Sequence, residues 1–160
     1  IPNMGTPSNI EERERKVLHM LSSTQQFIDI LEAKGTKYTV DEPTSNGKDV
    51  LTVSYGGENM STIRCRFFFD TDCQSVAIRV FDIVKIPESK LEAMYPVVNA
   101  VNNKFRFAKF CIDTKDSTIQ AEMDAAFRAN DVGEICRELL SRGVNICDEA
   151  YPDLMKALWT

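Results

Sequence analysis

Apolar residues recur every three or four positions through residues 91–105, the spacing of one face of a helix. They are Leu91, Met94, Val98, Val101 and Phe105. The period changes to two over residues 108–113 and again over residues 119–125, with polar residues between the two runs. This pattern predicts one helix followed by a β-hairpin with one wet face. Pro96 predicts a kink or a restart of the helix near Tyr95, because proline lacks the N–H that the helix needs.

Two helices are predicted ahead of the sheet. Residues 10–21 carry a thin apolar stripe among many charges, and the prolines and small residues before them predict a flexible arm over residues 1–9. Ser23 and Gln26 have the spacing of a capping box, which predicts a helix start at that point. Gly35 stands where a left-handed helix end is expected.

Alternation of period two dominates the chain after that helix. It predicts strands over residues 38–40, 50–55, 62–69 and 76–81, joined by short polar turns, and therefore an antiparallel meander. The two faces of the third strand carry different side chains. One face holds Ile63, Cys65, Phe67 and Phe69, and the other holds Thr62, Arg64, Arg66 and Phe68.

The C-terminal region is predicted to be helical. Asn130 or Asp131 is expected to cap the helix, Gly143 to interrupt it and Pro152 to break it. With this region the predicted order of elements is α, α, β, β, β, β, α, β, β, α. That order predicts a single α+β domain over residues 10–160, an antiparallel sheet of meander plus hairpin with helices packed on one face.

Composition and charge restrict the class of protein. A chain of 160 residues with 43% hydrophobic and 27% charged residues has the composition of a folded globular domain. A net charge of −5 repels phosphates and anionic lipids, so neither nucleic acid nor a membrane is an expected partner unless a local basic patch binds it. No apolar run approaches the ~20 residues that a membrane span needs.

Five cysteines at irregular spacing favour free thiols over a disulfide framework or a zinc site. Cys65, Cys111, Cys136 and Cys147 fall in apolar patterns and are expected to be buried. A reducing compartment is implied, and the expected location is the cytoplasm.

Catalytic chemistry has little support in the sequence. His19 is the only histidine, and it has no serine or cysteine nucleophile near it in the chain. Asp70, Asp72, Asp113 and Asp116 fall in turns, where aspartate is a common turn former, and they lack the spacing of a calcium loop. No enzyme, cofactor or metal site is predicted.

The asparagines near the end of the central helix are a candidate polar network. Asn99, Asn102 and Asn103 lie within five residues of one another, although asparagine is a poor helix former. Their amides are expected to bond backbone groups at the helix end or in the following loop, and ligand binding is the less favoured alternative.

The outward face of the meander mixes basic and aromatic side chains. Arg64, Arg66 and Phe68 come from one strand, and Arg79 and Phe81 from the next. Aromatic residues and arginine are enriched in protein interfaces, so a homodimer or protein-partner surface ranks first. A solvated face with cross-strand ion pairs ranks second, and nucleic-acid binding a distant third.

The run VVNAVNNKFRFAKFCIDTKDSTIQAEMD resembles the YbjN family, with paired asparagines late in a helix and an aromatic strand that ends in aspartate. The order of elements agrees over about residues 23–150. The resemblance implies the fold of type III secretion chaperones, an antiparallel sheet with helices on one side. Members of that family are described as sensory transduction regulators, and the resemblance supplies no catalytic residues.

The sequence therefore predicts a non-enzymatic protein-binding or regulatory module, adaptor or chaperone-like, that acts as a homodimer or with a protein partner. Burial of Phe68 and Phe81 against the partner is the expected mechanism, with the three arginines contacting carboxylates. The alternative is a small-molecule sensor with a pocket between the sheet and the central helix, lined by Phe67, Phe69 and Phe110.

Overall fold

The computed structural model describes residue 10 and residues 19–160. The predicted flexible arm over residues 1–9 and most of the predicted helix over residues 10–21 lie outside the described residues. Within them the chain forms the predicted α+β fold, with a six-stranded antiparallel sheet.

The six strands are ordered β1-β2-β3-β4-β6-β5 across the sheet. They are β1 (Thr39–Val40), β2 (Asp49–Tyr55), β3 (Ile63–Phe69), β4 (Ser75–Lys85), β5 (Lys109–Asp113) and β6 (Thr118–Ala126). Consecutive strands β1 to β4 pair as neighbours, which confirms the predicted meander. The β5–β6 hairpin joins it through β6, so β5 becomes an edge strand.

Three α-helices accompany the sheet in the described part of the chain. They are α1 (Ser22–Ala33), α2 (Leu91–Lys104), which follows a short 3₁₀ turn, and α3 (Val132–Trp159). Helix α1 presses Phe27 against Phe67, with ring centroids 4.6 Å apart. Helix α3 comes so close to β6 that a Cβ on Gly143 would lie 2.4 Å from Met123 Cε. The helices therefore cover the face of the sheet that carries Phe67 and Met123.

Helix α1 begins at Ser22, and the predicted capping box is wrong. The Ser23 hydroxyl makes no hydrogen bond to any described residue. Asp49 of β2 binds the start of the helix instead. Its carboxylate accepts hydrogen bonds from the Leu21 N–H at 2.8 Å and from the Thr24 hydroxyl at 2.7 Å. The predicted end is confirmed, because Gly35 has a φ of +67°.

Helix α3 runs without interruption through Gly143 and Pro152, so both predicted breaks are wrong. Cys147, Ala150 and Leu154 are each 0% exposed on either side of Pro152, and their burial along one face stabilises the continuous helix. Asp131 occupies the position before the helix as predicted, but its carboxylate accepts from the Arg128 N–H at 2.9 Å and caps no helical N–H.

Helix α2 likewise continues through Pro96, and the restart expected near Tyr95 does not occur. Met94 precedes the proline and Val98 and Val101 follow it, and all three are buried in the same core. Their shared burial offsets the hydrogen bond that proline removes.

A carboxylate also fastens α3 to the sheet. Asp148 accepts hydrogen bonds from the backbone N–H groups of Glu58, Asn59 and Met60, at 3.0, 2.8 and 2.8 Å. These donors lie in the loop between β2 and β3 and hold the pKa of Asp148 below its ordinary value. Three charge-assisted hydrogen bonds thus hold the loop to the helix.

No helix in the described residues is long and apolar enough to cross a bilayer.

Candidate protein-binding surface

The face of the sheet opposite the helices, here called the outer face, carries the five residues predicted as a binding site. Burial alternates along β3, where Ile63, Cys65, Phe67 and Phe69 are buried and the residues between them are half-buried or exposed. This is the alternation that the sequence predicts, and it places Arg64, Arg66 and Phe68 on the outer face. The same period places Arg79 and Phe81 there from β4.

Phe68, Phe81 and Arg66 form one group, which we call the aromatic–arginine cluster. The Phe68 and Phe81 rings meet edge to face, with centroids 6.2 Å apart and planes 79° apart. Arg66 Cζ lies 5.2 Å from the Phe68 ring centroid and 6.0 Å from that of Phe81. A cation over aromatic rings is attracted by their quadrupoles. Phe81 remains 39% exposed in this arrangement.

A β-bulge begins at Phe81. The pairing of β4 with β6 is regular up to Val80 and resumes at Val84, with a register shift between them. Asp82 in this interval has a φ of +53°, which is uncommon for a residue other than glycine. Bulges bend a strand and redirect its side chains. The Phe81 ring meets Phe68 although Phe68 pairs with Ala77 along the ladder.

Arg79 is committed to contacts inside the protein. Its Nε lies 3.4 Å from Glu122 Oε1 and its Nη1 lies 3.0 Å from Asp124 Oδ1. The same Nη1 donates to the Ile78 and Met123 carbonyls at 2.9 and 3.0 Å. With a side chain only 19% exposed, Arg79 has little capacity left for a partner carboxylate. The cross-strand ion pairs of the second-ranked interpretation are therefore present at Arg79.

Arg66 and Arg79 stand directly opposite each other on neighbouring strands. Like charges in that position repel, so each guanidinium needs its own compensation. Arg79 has its two carboxylates, whereas Arg66 lies 3.9 Å from Asp41 and otherwise contacts the two rings. Of these two arginines, Arg66 is therefore the one that a partner's carboxylate can reach.

Arg64 lies apart from the cluster. It is exposed and pairs with Ser54 near the N-terminal end of β3. The structure therefore brings together Arg66, Phe68 and Phe81, holds Arg79 beside them in an ion-pair network, and leaves Arg64 at the margin of the outer face.

Of the three asparagines, only Asn102 bonds the backbone of the hairpin. Its amide nitrogen donates to the Phe110 carbonyl at 2.9 Å, and its amide oxygen accepts from the Phe110 N–H at 2.7 Å. The side chain thus pairs with the edge strand β5 as another strand would. Asn99 and Asn103 are exposed. The arrangement joins α2 to the hairpin and is structural.

The acidic turns do not meet in space. Asp70 and Asp72 precede β4, whereas Asp113 and Asp116 lie beside the opposite end of β4, where Lys85 pairs with Thr118. Their carboxylates accept bonds within their own turns, for example from the Gln74 and Lys115 N–H groups at 3.0 and 2.9 Å. The described residues contain no group of three or more histidine, cysteine or acidic side chains arranged to hold a metal ion.

The residues proposed to line a sensor pocket are packed in the core. Phe67 and Phe69 are 0% exposed and Phe110 is 2% exposed. Phe27 fills the space beside Phe67 and Phe69. An open groove of about 340 Å³ lies elsewhere, between α2 and the end of α3, where Lys104 pairs with Asp153 at 2.7 Å. The sensor alternative stays a prediction that these contacts do not favour.

Sequence reasoning missed the partners that organise the outer face. Asp41 and Asp124 hold Arg66 and Arg79, and neither carboxylate adjoins its arginine in the chain. It also missed Phe107, which is 47% exposed, has a φ of +72° and lies 4.2 Å from Arg142 Cζ. The alternation of aromatic and basic residues in the run KFRFAKF is the signal that points to this position.

Neither protein-family models nor curated proteins match this chain. The resemblance to the YbjN family accordingly stays a prediction from the sequence.

Proposed function

We propose that this protein is a non-enzymatic binding module, an adaptor or chaperone-like protein, whose outer face binds a second copy of the chain or another polypeptide. The observation that carries the proposal is the aromatic–arginine cluster, which exposes Phe81 on the sheet face opposite the helices. Phenylalanine that only filled a core would lie on the other face, as Phe67 and Phe69 do.

The cluster has the chemistry of an interface centre. Aromatic residues and arginine are enriched at interfaces, and arginine and the larger aromatics carry much of the binding energy. Because Arg66 already rests against both rings, less side-chain freedom is lost when a partner covers the cluster. A partner that buries Phe81 and brings a carboxylate to Arg66 fits this surface best.

The contact extends beyond three side chains. A stable interface buries about 800 Å² on each partner, which is more than the cluster alone offers. Val50, which pairs with Phe68, is apolar and 2% exposed, and the next outer-face residues of β2 and β3 are polar or charged, namely Thr52, Ser54 and Arg64. They supply the polar rim that surrounds the apolar centre of an interface.

Two finer statements belong to the same proposal. The fold is chaperone-like in the sense of an antiparallel sheet with helices on one side, which agrees with the order of strands and the position of the helices. The location is the cytoplasm, which agrees with five cysteines that are all free.

Sedimentation of the full chain over a concentration series tests the homodimer form of the proposal. We expect a concentration-dependent dimer that Phe81→Glu dissociates, because a buried charge without a partner is costly. Tyr95→Glu is the matched control, since Tyr95 is 47% exposed on α2. If both variants sediment like the parent protein, the outer face does not join two copies.

A further inference from the structure

Strand β4 divides the outer face into a basic side and an acidic side. The basic side is β3, which carries Arg64 and Arg66. Arg64 is exposed and makes no hydrogen bond, ion pair or ring contact with a described residue. The one ion pair of Arg66 with a described residue joins it to Asp41 at 3.9 Å. The β3 side therefore carries more guanidinium charge than the described residues pair.

The acidic side is β6. Its Glu122 and Asp124 both pair with Arg79, so two carboxylates share one guanidinium, and the Asp124 side chain remains 69% exposed. Glu122 also accepts from the thiol of Cys111 at 3.4 Å, and Cys111 is half-buried, although the sequence predicts a buried thiol. The ammonium of Lys109 on β5 is directed elsewhere, because it binds two backbone carbonyls at the end of α2 at 2.8 and 2.6 Å.

The strand register sets the basic and acidic residues at the same level of the sheet. Arg66 pairs with Arg79 and Arg79 pairs with Glu122, so these three residues form one row across β3, β4 and β6. The next row holds Phe68 on β3 and Asp124 on β6. In both rows β4 lies midway between the other two strands. A half-turn about an axis along β4 therefore exchanges the positions of β3 and β6, row for row.

We propose that the outer face binds the outer face of a second copy of this chain about a two-fold axis that runs along β4. This inference rests on the proposed function and adds which partner the face takes and how the two copies are oriented. Arg66 of each copy then faces Glu122 and Asp124 of the other, and the two Phe81 rings meet near the axis. Two-fold interfaces are self-complementary, so each favourable pair occurs twice.

The division of charge selects this axis over the alternative. In the aligned packing of two sheets the strands lie within about 30° of each other, so the two-fold axis runs either along the strands or across them. An axis across the strands would place β3 on β3 and β6 on β6, with like charges facing each other. An axis along β4 places opposite charges together. Arg79 then lies near the axis, where Glu122 and Asp124 compensate its charge against the second copy.

Two charge-reversal variants of the full chain, sedimented separately and mixed, test the pairing. Arg66→Glu and Asp124→Lys each place like charges across the axis, so each variant alone should dimerise at least about tenfold more weakly than the parent protein. Asp124→Lys leaves Glu122 paired with Arg79. The mixture should form a heterodimer at least about tenfold tighter than either variant with itself, because both cross-axis pairs again join opposite charges.

Lys34→Glu and Glu92→Lys are the matched control pair, since they make the same changes of charge at exposed positions on the helix side. Their mixture should show no preference for a heterodimer. A parent protein that stays monomeric, or a control pair that associates as the test pair does, overturns the two-fold arrangement. If Phe81→Glu dissociates the dimer but the test mixture does not reassociate, the arrangement is wrong and the outer face remains the interface. A dimer unaffected by Phe81→Glu and by both charge reversals contradicts the outer face itself.

Discussion

Phe67 and Phe68 are adjacent in β3, yet they belong to two different regions of the molecule. Phe67 is 0% exposed and packs at 4.6 Å against Phe27 of α1. Phe68 points to the outer face, where its neighbours are Phe81 and Arg66. Because successive side chains of a strand point to opposite faces of the sheet, one phenylalanine stabilises the core and its neighbour lies on a surface. Substitutions on the inner face should therefore change the free energy of unfolding, and substitutions on the outer face should change association with a partner.

The largest effect is expected from Phe67→Ala. Removing a fully buried phenylalanine leaves a cavity beside Phe27 and Phe69, and such changes cost about 3–5 kcal/mol. Urea unfolding followed by circular dichroism measures the loss. A change in the free energy of unfolding below about 1 kcal/mol would mean that the inner face is not the core.

Gly133→Ala should be the next most damaging change on the helix side. An added Cβ would lie 2.5 Å from Ile30 Cγ1 and 2.9 Å from the Gln26 carbonyl oxygen of α1. The carbonyl belongs to the backbone of a helix, so it cannot move aside as the end of a flexible side chain can. Overpacking of this kind costs about 1–3 kcal/mol.

Gly143→Ala is the matched comparison for that prediction. Its Cβ would meet only the flexible end of Met123, at 2.4 Å from Cε. Alanine also favours helix by roughly 1 kcal/mol relative to glycine. Urea unfolding should show a smaller loss for Gly143→Ala than for Gly133→Ala, and the reverse order would refute the close approach of α1 and α3.

Phe68→Ala should cost about 1 kcal/mol or less, because it removes an edge-to-face ring contact and leaves the core intact. The same substitution should weaken association or partner capture strongly. Measuring unfolding and association on one preparation separates the two faces. A loss of stability equal to that of Phe67→Ala would show that the outer face is also a core.

The smallest effect concerns pH and the bond between α3 and the β2–β3 loop. The pKa of Asp148 lies below its unfolded value because the Met60, Asn59 and Glu58 N–H groups bind the carboxylate. Its contribution to stability is therefore present above the unfolded value of about 3.9 and is lost as pH falls through the lower folded value. Between pH 6 and pH 2 the free energy of unfolding should fall less steeply for Asp148→Asn than for the parent protein. Parallel curves would contradict this assignment.

Residues whose environment follows from a local pattern could be predicted from the sequence. The alternation in β3 separated Phe67 from Phe68 because a half-buried strand repeats every two residues. The left-handed end of α1 followed from Gly35, whose lack of a Cβ permits a φ of +67°.

Residues whose environment depends on distant parts of the chain could not be predicted. Pro152 was expected to break a helix that the burial of Cys147 and Leu154 keeps continuous. Arg79 was expected to reach a partner, but strand register brings Glu122 and Asp124 to it. The bulge between Val80 and Val84 depends on the pairing of β4 with β6, which no pattern within β4 indicates.

The most direct test of the outer face as a binding surface is quantitative capture from lysate of the source organism by the parent protein, Phe81→Glu and Tyr95→Glu. Bound proteins are identified and counted by mass spectrometry. We predict one stoichiometric protein, which is this chain itself in the homodimer case, retained by the parent and Tyr95→Glu and lost with Phe81→Glu. The same bound protein in equal amount on all three would contradict the account.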